Sequence, residues 1–214
     1  MSDNYYKSRY VWNDDRKVVW KEIVRFLSKY VPKDGTVLDI GAGYCDFINN
    51  VDAKNRIALD YSPDLGKYAN NGIEQINSSV TDMSKVTSNI VDVVFASNLF
   101  EHLTDADLEI TMGEVKRVLK KGGRLILMQP NYRLAYKTYF DDHTHKKVFS
   151  DTSLETFLLS FDMEIELKKA KFLPFSLKSR PSIIPVLPWV IRAYINSPWK
   201  PFAGQMLFVA KLPN

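Results

Sequence analysis

Residues 37–47 read Val37-Leu38-Asp39-Ile40-Gly41-Ala42-Gly43-Tyr44-Cys45-Asp46-Phe47, and they are the most informative segment for the fold class. Its first residues, with Thr36 before them, form a short apolar run that predicts a buried strand. Two glycines separated by one residue follow, and a helix is predicted over 44–50. A glycine turn between a strand and a helix lets a ligand approach bare backbone. The stretch therefore predicts an α/β domain with a ligand site at the turn.

Strand and helix patterns alternate along the chain on both sides of this turn. Predicted strands cover 36–40, 56–60, 74–78, 91–96, 124–128, 163–172 and 205–212. Predicted helices cover 14–30, 44–50, 105–120 and 150–161, and Ser62-Pro63 is expected to open another. Gly122 and Gly123 are expected to end the helix over 105–120. Such alternation predicts a parallel sheet with helices on both faces.

Two carboxylates beside the glycines narrow the choice of cofactor. Asp39 stands two residues before Gly41, where it would oppose a pyrophosphate but suit a ligand with a cationic end. Asp46 stands where a dinucleotide-binding G-x-G-x-x-G turn needs its third glycine. Asp60 follows 19 residues after Gly41, where an acid can bind ribose hydroxyls. S-adenosylmethionine fits these facts, because it has a ribose, a sulfonium and an ammonium but no phosphate.

The sequence resembles the class I S-adenosylmethionine-dependent methyltransferases over roughly residues 35–165. The resemblance rests on four segments: VLDIGAGYCDF (37–47), IALDYSPD (57–64), VDVVFASNLFEHL (91–103) and EVKRVLKKGGRLILMQPN (114–131). It implies a Rossmann-like fold with a seven-stranded, mostly parallel sheet, an antiparallel last strand and helices on both faces. It also implies S-adenosylmethionine as the cofactor and S-adenosylhomocysteine as the product.

The resemblance also implies cofactor contacts for nine residues. In that family the glycine loop meets the methionine portion, the second strand ends at the ribose and adenine, an acid after the third strand meets the adenine amino group, and the fourth strand ends facing the cofactor. The matching residues are Asp39, Gly41, Ala42 and Gly43, then Asp60 and Tyr61, then Asp82, then Ser97 and Asn98. Asp82 also suits a plain polar turn. Glu101 and His102, just beyond, suit a solvated helix start or a catalytic role for His102.

An acidic, histidine-containing segment follows the predicted fifth strand, at the edge where open α/β sheets bind ligands. A hydroxyl acceptor usually needs a base, and we predict His143, His145 and Asp142 as the catalytic residues. The pattern Asp-Asp-x-x-His, which starts at Asp141, would alternatively hold a divalent cation or form a polar loop. We assign no metal ligand from the sequence. Some sugar-modifying methyltransferases have a similar segment.

Charge is divided unevenly along the chain, whose net charge is +4. Residues 167–214 hold eight of the 29 Lys and Arg residues and none of the 25 acidic residues. We predict that Lys178, Arg180 or Arg192 holds an anionic acceptor such as a nucleotide-sugar. The basic residues and tryptophans of 168–200 would also suit a membrane surface, or a packing or dimerisation insertion. No nucleic-acid-binding signature is present.

The chain of 214 residues is predicted to form a single methyltransferase domain. Its parts are an N-terminal helix and lid (1–34), a cofactor-binding core (35–172), a basic insertion rich in proline and aromatic residues (173–204) and the last strand (205–214). A single cysteine excludes an intramolecular disulfide framework. No apolar run reaches the roughly 18 residues of a membrane helix, and the polar start predicts a cytoplasmic protein.

The sequence thus predicts methyl transfer to a small acceptor. A hydroxyl of a sugar, nucleotide-sugar or phosphorylated saccharide, in polysaccharide or secondary metabolism, is the favoured acceptor. A non-catalytic scaffold that keeps this fold is the alternative, and a nicotinamide-dependent oxidoreductase is disfavoured by Asp39 and the missing third glycine.

Overall fold

The computed structural model describes residues 14–174 and 186–214 and is built on a seven-stranded sheet of order β3-β2-β1-β4-β5-β7-β6. Its strands are β1 (Thr36–Ile40), β2 (Asn55–Asp60), β3 (Glu74–Asn77), β4 (Val91–Ser97), β5 (Leu119–Pro130), β6 (Glu164–Lys169) and β7 (Gln205–Lys211). The first five strands pair in parallel, and β7 runs antiparallel to both β5 and β6. The predicted mostly parallel sheet with an antiparallel last strand is confirmed.

Helices form on both faces of this sheet. They are α1 (Asp14–Leu27), α2 (Leu65–Tyr68), α3 (Asp105–Val118), α4 (Tyr132–Ala135), α5 (Asp151–Ser160) and α6 (Pro188–Asn196). Capping residues define the starts of α3 and α5, which pack on the same face of the sheet. The Thr104 hydroxyl accepts the Asp107 N–H at the start of α3, and the Ser150 hydroxyl accepts the Ser153 N–H at the start of α5.

The buried residues form two apolar layers, one on each face. Because side chains alternate along a strand, Leu38 and Ile40 of β1 join the layer that contains α3 and α5, whereas Val37 joins the layer that contains α1. Every residue of β1 is buried, as expected for a central parallel strand. Because β1, β2, β4 and β5 run parallel, their carboxyl ends meet at one edge of the sheet.

The predicted helix over 44–50 is wrong, because this segment is a series of turns. Cys45 has a φ of 58°, outside the right-handed helical region, and this interrupts a regular helix. The helix expected from Ser62-Pro63 begins at Leu65, after a turn in which the Leu65 N–H donates to the Ser62 carbonyl. Gly122 and Gly123 lie inside β5 rather than at the end of α3.

The predicted insertion over 173–204 contains one regular element among its described residues, the helix α6, which packs against α1. A proline in the first turn suits its start. The predicted lid residues 1–13 and the segment 175–185, which includes Lys178 and Arg180, lie outside the described residues. Within the described part of the chain, none of the helices has the length and apolarity needed to cross a membrane.

Candidate active site

The glycine loop after β1 is held against the end of β2. The N–H groups of Gly41 and Ala42 donate to the Leu59 carbonyl, at 2.8 and 3.2 Å. Gly41 and Gly43 have φ values of 66° and 51°, a region that glycine enters at little cost. A Cβ on Gly41 would lie 2.9 Å from Leu99 Cδ1. The loop therefore exposes backbone at the sheet edge and touches the turn that follows β4.

Asp60 ends β2 and ties the loop in place. Its Oδ2 accepts the Gly43 N–H at 2.8 Å, and its Oδ1 accepts the Ser62 N–H at 2.8 Å. Burial raises the pKa of Asp60, although these backbone hydrogen bonds oppose the shift. Tyr61, the next residue, is partly exposed. Asp60, which is predicted to bind the ribose, thus also holds the glycine loop in place, and the aromatic residue Tyr61 follows it in the chain.

Three buried carboxylates surround this loop: Asp39, Asp46 and Asp60. Burial raises the pKa of Asp39 well above its usual value, and the charges of Asp60 and Asp46 raise it further. Burial also raises the pKa of Asp46, against the effect of Arg16, whose Nε lies 2.6 Å from Asp46 Oδ2. Sequence reasoning missed Asp46 as a member of this group, because the contact with α1 is not visible along the chain. The carboxylates form a site with affinity for positive charge.

Of the remaining predicted cofactor residues, Ser97 and Asn98 lie at the end of β4, and Asp82 lies in a turn between β3 and β4. Asn98 follows β4 with a φ of 50°, and its Oδ1 accepts the Gln205 Nε2–H from β7 at 2.9 Å. Its amide contacts the Ser97 hydroxyl. Asp82 is exposed and accepts the Ser84 N–H at 3.1 Å, and hydrogen bonds to Ser84 lower its pKa. Asp82 therefore closes its own turn, whereas Ser97 and Asn98 are fixed at the sheet edge.

Of the three predicted catalytic residues, the structure pairs two. The side chains of Asp142 and His145 are buried, and His145 Nε2 lies 3.4 Å from Asp142 Oδ2. The Thr144 hydroxyl donates to Asp142 Oδ1 at 2.6 Å. His143 lies between them in sequence but is exposed. The loop thus presents one imidazole supported by a carboxylate.

The turn after β4 brings Glu101 and His102 to the same place. Glu101 is 1% exposed, and its carbonyl accepts the N–H groups of Lys146 and Lys147 at 2.8 and 3.0 Å. The ring centroids of His102 and His145 are 4.9 Å apart. The expectation of a solvated helix start is wrong for Glu101, because the loop after β5 docks over this turn. Periodicity within one segment gives no signal of such docking.

Exposed aromatic and basic side chains surround the helix α4, just after the carboxyl end of β5. Tyr136 and Phe140 are more than half exposed, and the Lys137 ammonium lies 6.0 Å from the Tyr136 ring centroid. Arg133 is exposed on the same short helix. We call these four residues the α4 surface. Exposed rings with nearby cations suit a polar, anionic ring compound better than an apolar one.

The basic residues of the segment 167–214 are partly neutralised by acidic residues elsewhere in the chain. The Arg192 guanidinium forms two hydrogen bonds of 2.9 Å with Glu22 of α1. Lys168 lies 2.8 Å from Glu155 and 3.4 Å from Asp151. This engagement counts against Arg192 as the predicted anion ligand. Among the described residues of this segment, the most exposed large apolar side chains are Trp189 at 67%, Trp199 at 76% and Phe202 at 63%.

Comparison with known proteins agrees with this geometry. Residues 38–127 match the family model described as a methyltransferase domain. Phosphoethanolamine N-methyltransferase 1 of Triticum aestivum is 30% identical over 118 residues, which are 50% of this chain and 23% of that protein. An uncharacterised protein of Methanocaldococcus jannaschii is 29% identical over 126 residues, 58% of either chain. The chain therefore spans about a quarter and about three-fifths of the curated relatives that it matches.

A solved structure shares the whole fold. The S-adenosylmethionine-dependent methyltransferase of Archaeoglobus fulgidus superposes with a TM-score of 0.68 at 19% identity, over 92% of this chain and 94% of that one. This likeness bears on the fold, and the family match covers the segment that carries the glycine loop, Asp60 and Glu101. Together with the strand order and the carboxylates at the sheet edge, these matches show that residues 38–127 match a methyltransferase domain and that the chain has the Rossmann-like fold of S-adenosylmethionine-dependent methyltransferases.

Proposed function

We propose that this chain transfers the methyl group of S-adenosylmethionine to a hydroxyl oxygen of a small acceptor, such as a sugar, nucleotide-sugar or phosphorylated saccharide. The observation that carries the proposal is the juxtaposition of two groups at one sheet edge. Asp39, Asp46 and Asp60 surround the glycine loop, and the Asp142–His145 pair lies beyond the turn that touches this loop through Leu99. The first group suits a cationic donor, and the second suits the activation of a hydroxyl.

On the donor side, each predicted residue has a distinct task. The backbone of Gly41, Ala42 and Gly43 would lie against the methionine portion, and Asp39 would favour its positive charge. Asp60 would accept ribose hydroxyls in addition to the Gly43 N–H, because a carboxylate oxygen has more than one lone pair.

The outer parts of the donor would meet residues at the strand ends. The Tyr61 ring would lie beside the adenine, and Ser97 with Asn98 would border the cofactor at the end of β4. For Asp82 we propose a contact with the adenine amino group. Such a contact would use carboxylate lone pairs that the Ser84 N–H does not engage.

On the acceptor side, we propose that a hydroxyl is activated at His145, which Asp142 holds in place. Methyl transfer is an in-line displacement: the acceptor oxygen forms a bond to the methyl carbon while the carbon–sulfur bond breaks. The electron pair stays on sulfur, the sulfonium becomes a neutral thioether, and the hydroxyl proton passes to the His145 imidazole. Because sulfonium is a good leaving group, the protein chiefly aligns the two reactants and excludes water.

The α4 surface supports a polar, anionic acceptor. Its rings would pack against a sugar face, and Arg133 and Lys137 would lie near a phosphate. The name of the wheat relative indicates a phosphorylated amine as the acceptor of that enzyme, and this favours an amino group as the second candidate for the methylated atom here. A membrane-surface contact through Trp189 and Trp199 is a separate proposal, supported by their exposure.

A two-stage experiment tests the proposal. Calorimetry with S-adenosylhomocysteine comes first, because a non-catalytic scaffold would not bind it even at millimolar concentration. Incubation with deuterium-labelled S-adenosylmethionine and a panel of nucleotide-sugars, phosphorylated saccharides and phosphorylated amines comes second. We expect one labelled methyl group on a sugar oxygen. Labelling of amines alone would overturn the acceptor proposal and leave methyl transfer intact.

A further inference from the structure

Three side chains of the kind that bind metals converge beyond the glycine loop: Glu101, His102 and His145. One carboxylate oxygen and one ring nitrogen from each histidine all lie within 4.8 Å of one another. We propose that this cluster, which we call the Glu-His-His cluster, binds a divalent transition-metal cation. This set differs from the Asp-Asp-x-x-His pattern considered from the sequence, because Asp142 contacts His145 from outside the cluster.

The cluster is assembled by two segments that the backbone fastens together. Glu101 and His102 belong to the 3-10 turn after β4, and His145 belongs to the loop after β5. The Glu101 carbonyl accepts two backbone N–H groups from that loop, those of Lys146 and Lys147. A metal site is more effective when its ligands are held in place before the ion arrives, and these backbone hydrogen bonds hold both segments together.

The contacts of His102 assign its tautomer. The Thr144 hydroxyl has a single proton, which it donates to Asp142 at 2.6 Å. The same hydroxyl lies 3.0 Å from His102 Nδ1, and the Thr144 carbonyl lies 3.3 Å from it. Both oxygens can only accept here, so Nδ1 carries the proton and Nε2 carries the lone pair that a metal requires.

Asp142 supports His145 in a similar way, at the Nε2 atom of the ring. Its Nε2 faces Asp142 at 3.4 Å, so the ring nitrogen opposite that carboxylate is Nδ1. Metal-binding histidines usually have a carboxylate, carbonyl or water at the second ring nitrogen, which orients the ring and raises the basicity of the ligand. Asp142 and Thr144 therefore supply both histidines with the outer contacts of a metal site.

The electrostatic environment also favours a cation. Glu101 is buried, and a buried carboxylate is costly unless positive charge or hydrogen bonds compensate it. Asp142 is buried as well, so two buried carboxylates lie beside the two histidines, and a divalent cation would balance their negative charge.

The donor set selects the kind of metal. Two imidazole nitrogens and one carboxylate oxygen suit Zn²⁺, Co²⁺, Mn²⁺ or Fe²⁺, whereas Mg²⁺ and Ca²⁺ prefer oxygen ligands. Three protein ligands leave a coordination position for the acceptor hydroxyl. With the cation bound, His145 would be a ligand and no longer the proton acceptor. The cation would instead lower the pKa of that hydroxyl, so that its proton leaves to water before the oxygen attacks the methyl carbon. This catalytic role rests on the proposed function, but metal binding itself does not.

The test is a titration of the chelator-treated 214-residue chain with Co²⁺, whose visible absorption reports bound metal without any substrate. We expect one site in the wild type and at least tenfold weaker binding in Glu101→Gln and in His102→Gln. His102 is half-buried, so its variant remains informative if Glu101→Gln fails to fold. His143→Ala, which alters an exposed histidine two residues from His145, is the matched control and should bind Co²⁺ like the wild type.

The absence of a stoichiometric Co²⁺ site in the wild type, or unchanged binding in both folded variants, would overturn the proposal. Calorimetry with S-adenosylhomocysteine on the same metal-free protein keeps the two proposals distinguishable. Retained binding of this ligand without Co²⁺ binding would reject the metal site alone, and Co²⁺ binding without this ligand would reject methyl transfer alone.

Discussion

Replacing Asp39 with asparagine should weaken cofactor binding while relieving the folded protein of a buried charge. The carboxylate is buried at the end of β1 and accepts a backbone hydrogen bond from Ile48. Asparagine has nearly the same shape, and its oxygen can keep that bond. The substitution therefore removes charge from a site that it shares with Asp60 and Asp46, and it leaves the strand in place.

The sign of the stability effect follows from proton linkage. The pKa of Asp39 is raised in the folded state, chiefly by burial, above the value of about 3.9 that an unfolded chain has. At a pH between the unfolded and the folded pKa of Asp39, unfolding therefore releases a proton. The contribution of Asp39 to the stability of the folded state becomes less favourable as the pH rises through this range. Asparagine does not titrate, so the variant has no such pH-dependent contribution to its stability. The difference in Tm, variant minus wild type, should become more positive from about pH 4 to about pH 7, and each kcal/mol corresponds to about 2–4 °C.

The substitution should lower the affinity for the cofactor, although it should favour the folded state. A hydrogen bond or ion pair to a charged group contributes about 1.5–3 kcal/mol, so the dissociation constant for S-adenosylmethionine should rise about 10- to 150-fold. Calorimetry measures the affinity, and thermal unfolding at the two pH values measures the stability. Asp34→Asn, an exposed acid that precedes β1, is the matched control and should change neither quantity. Unchanged affinity in Asp39→Asn, or a Tm difference independent of pH, would refute the reasoning.

Three further predictions follow from the site. Gly41→Ala places a side chain at a φ of 66° and should cost about 1–2 kcal/mol, seen as a lower Tm together with weaker S-adenosylhomocysteine binding; a wild-type Tm would contradict it. His145→Asn should lower turnover about 10²- to 10⁴-fold with little change in cofactor affinity, whereas His143→Ala should change turnover far less, and equal losses would argue against the Asp142–His145 pair. Trp189→Ala combined with Trp199→Ala should reduce sedimentation with anionic phospholipid vesicles, and a wild-type chain that stays in the supernatant would exclude the membrane contact.

Much of the donor side was predictable from the sequence, because its signals are local. The apolar run of β1, the glycines that need positive φ and the acid at the end of β2 are each confined to a few residues. Their order along the chain is enough to predict a parallel sheet with a cofactor edge. The wrong helix over 44–50 shows the limit of local reasoning, since helical spacing does not reveal that Cys45 takes a positive φ.

The acceptor side depends on contacts between distant segments. Glu101 and His145 are 44 residues apart, and their convergence depends on the docking of the loop after β5 over the turn after β4. Arg192 looks like an anion ligand in the sequence, but its partner Glu22 lies on α1 at the other end of the chain.

Local patterns in the sequence therefore indicate the fold class, the proposed cofactor edge and the cationic nature of the donor. Short-range patterns carry that information, because strand periodicity, glycine conformation and carboxylate placement act within one element. Which histidine is buried, and which carboxylates share a pocket, depends on the packing of distant elements. Burial and charge pairing arise when separate elements pack together, so no single segment of the chain encodes them.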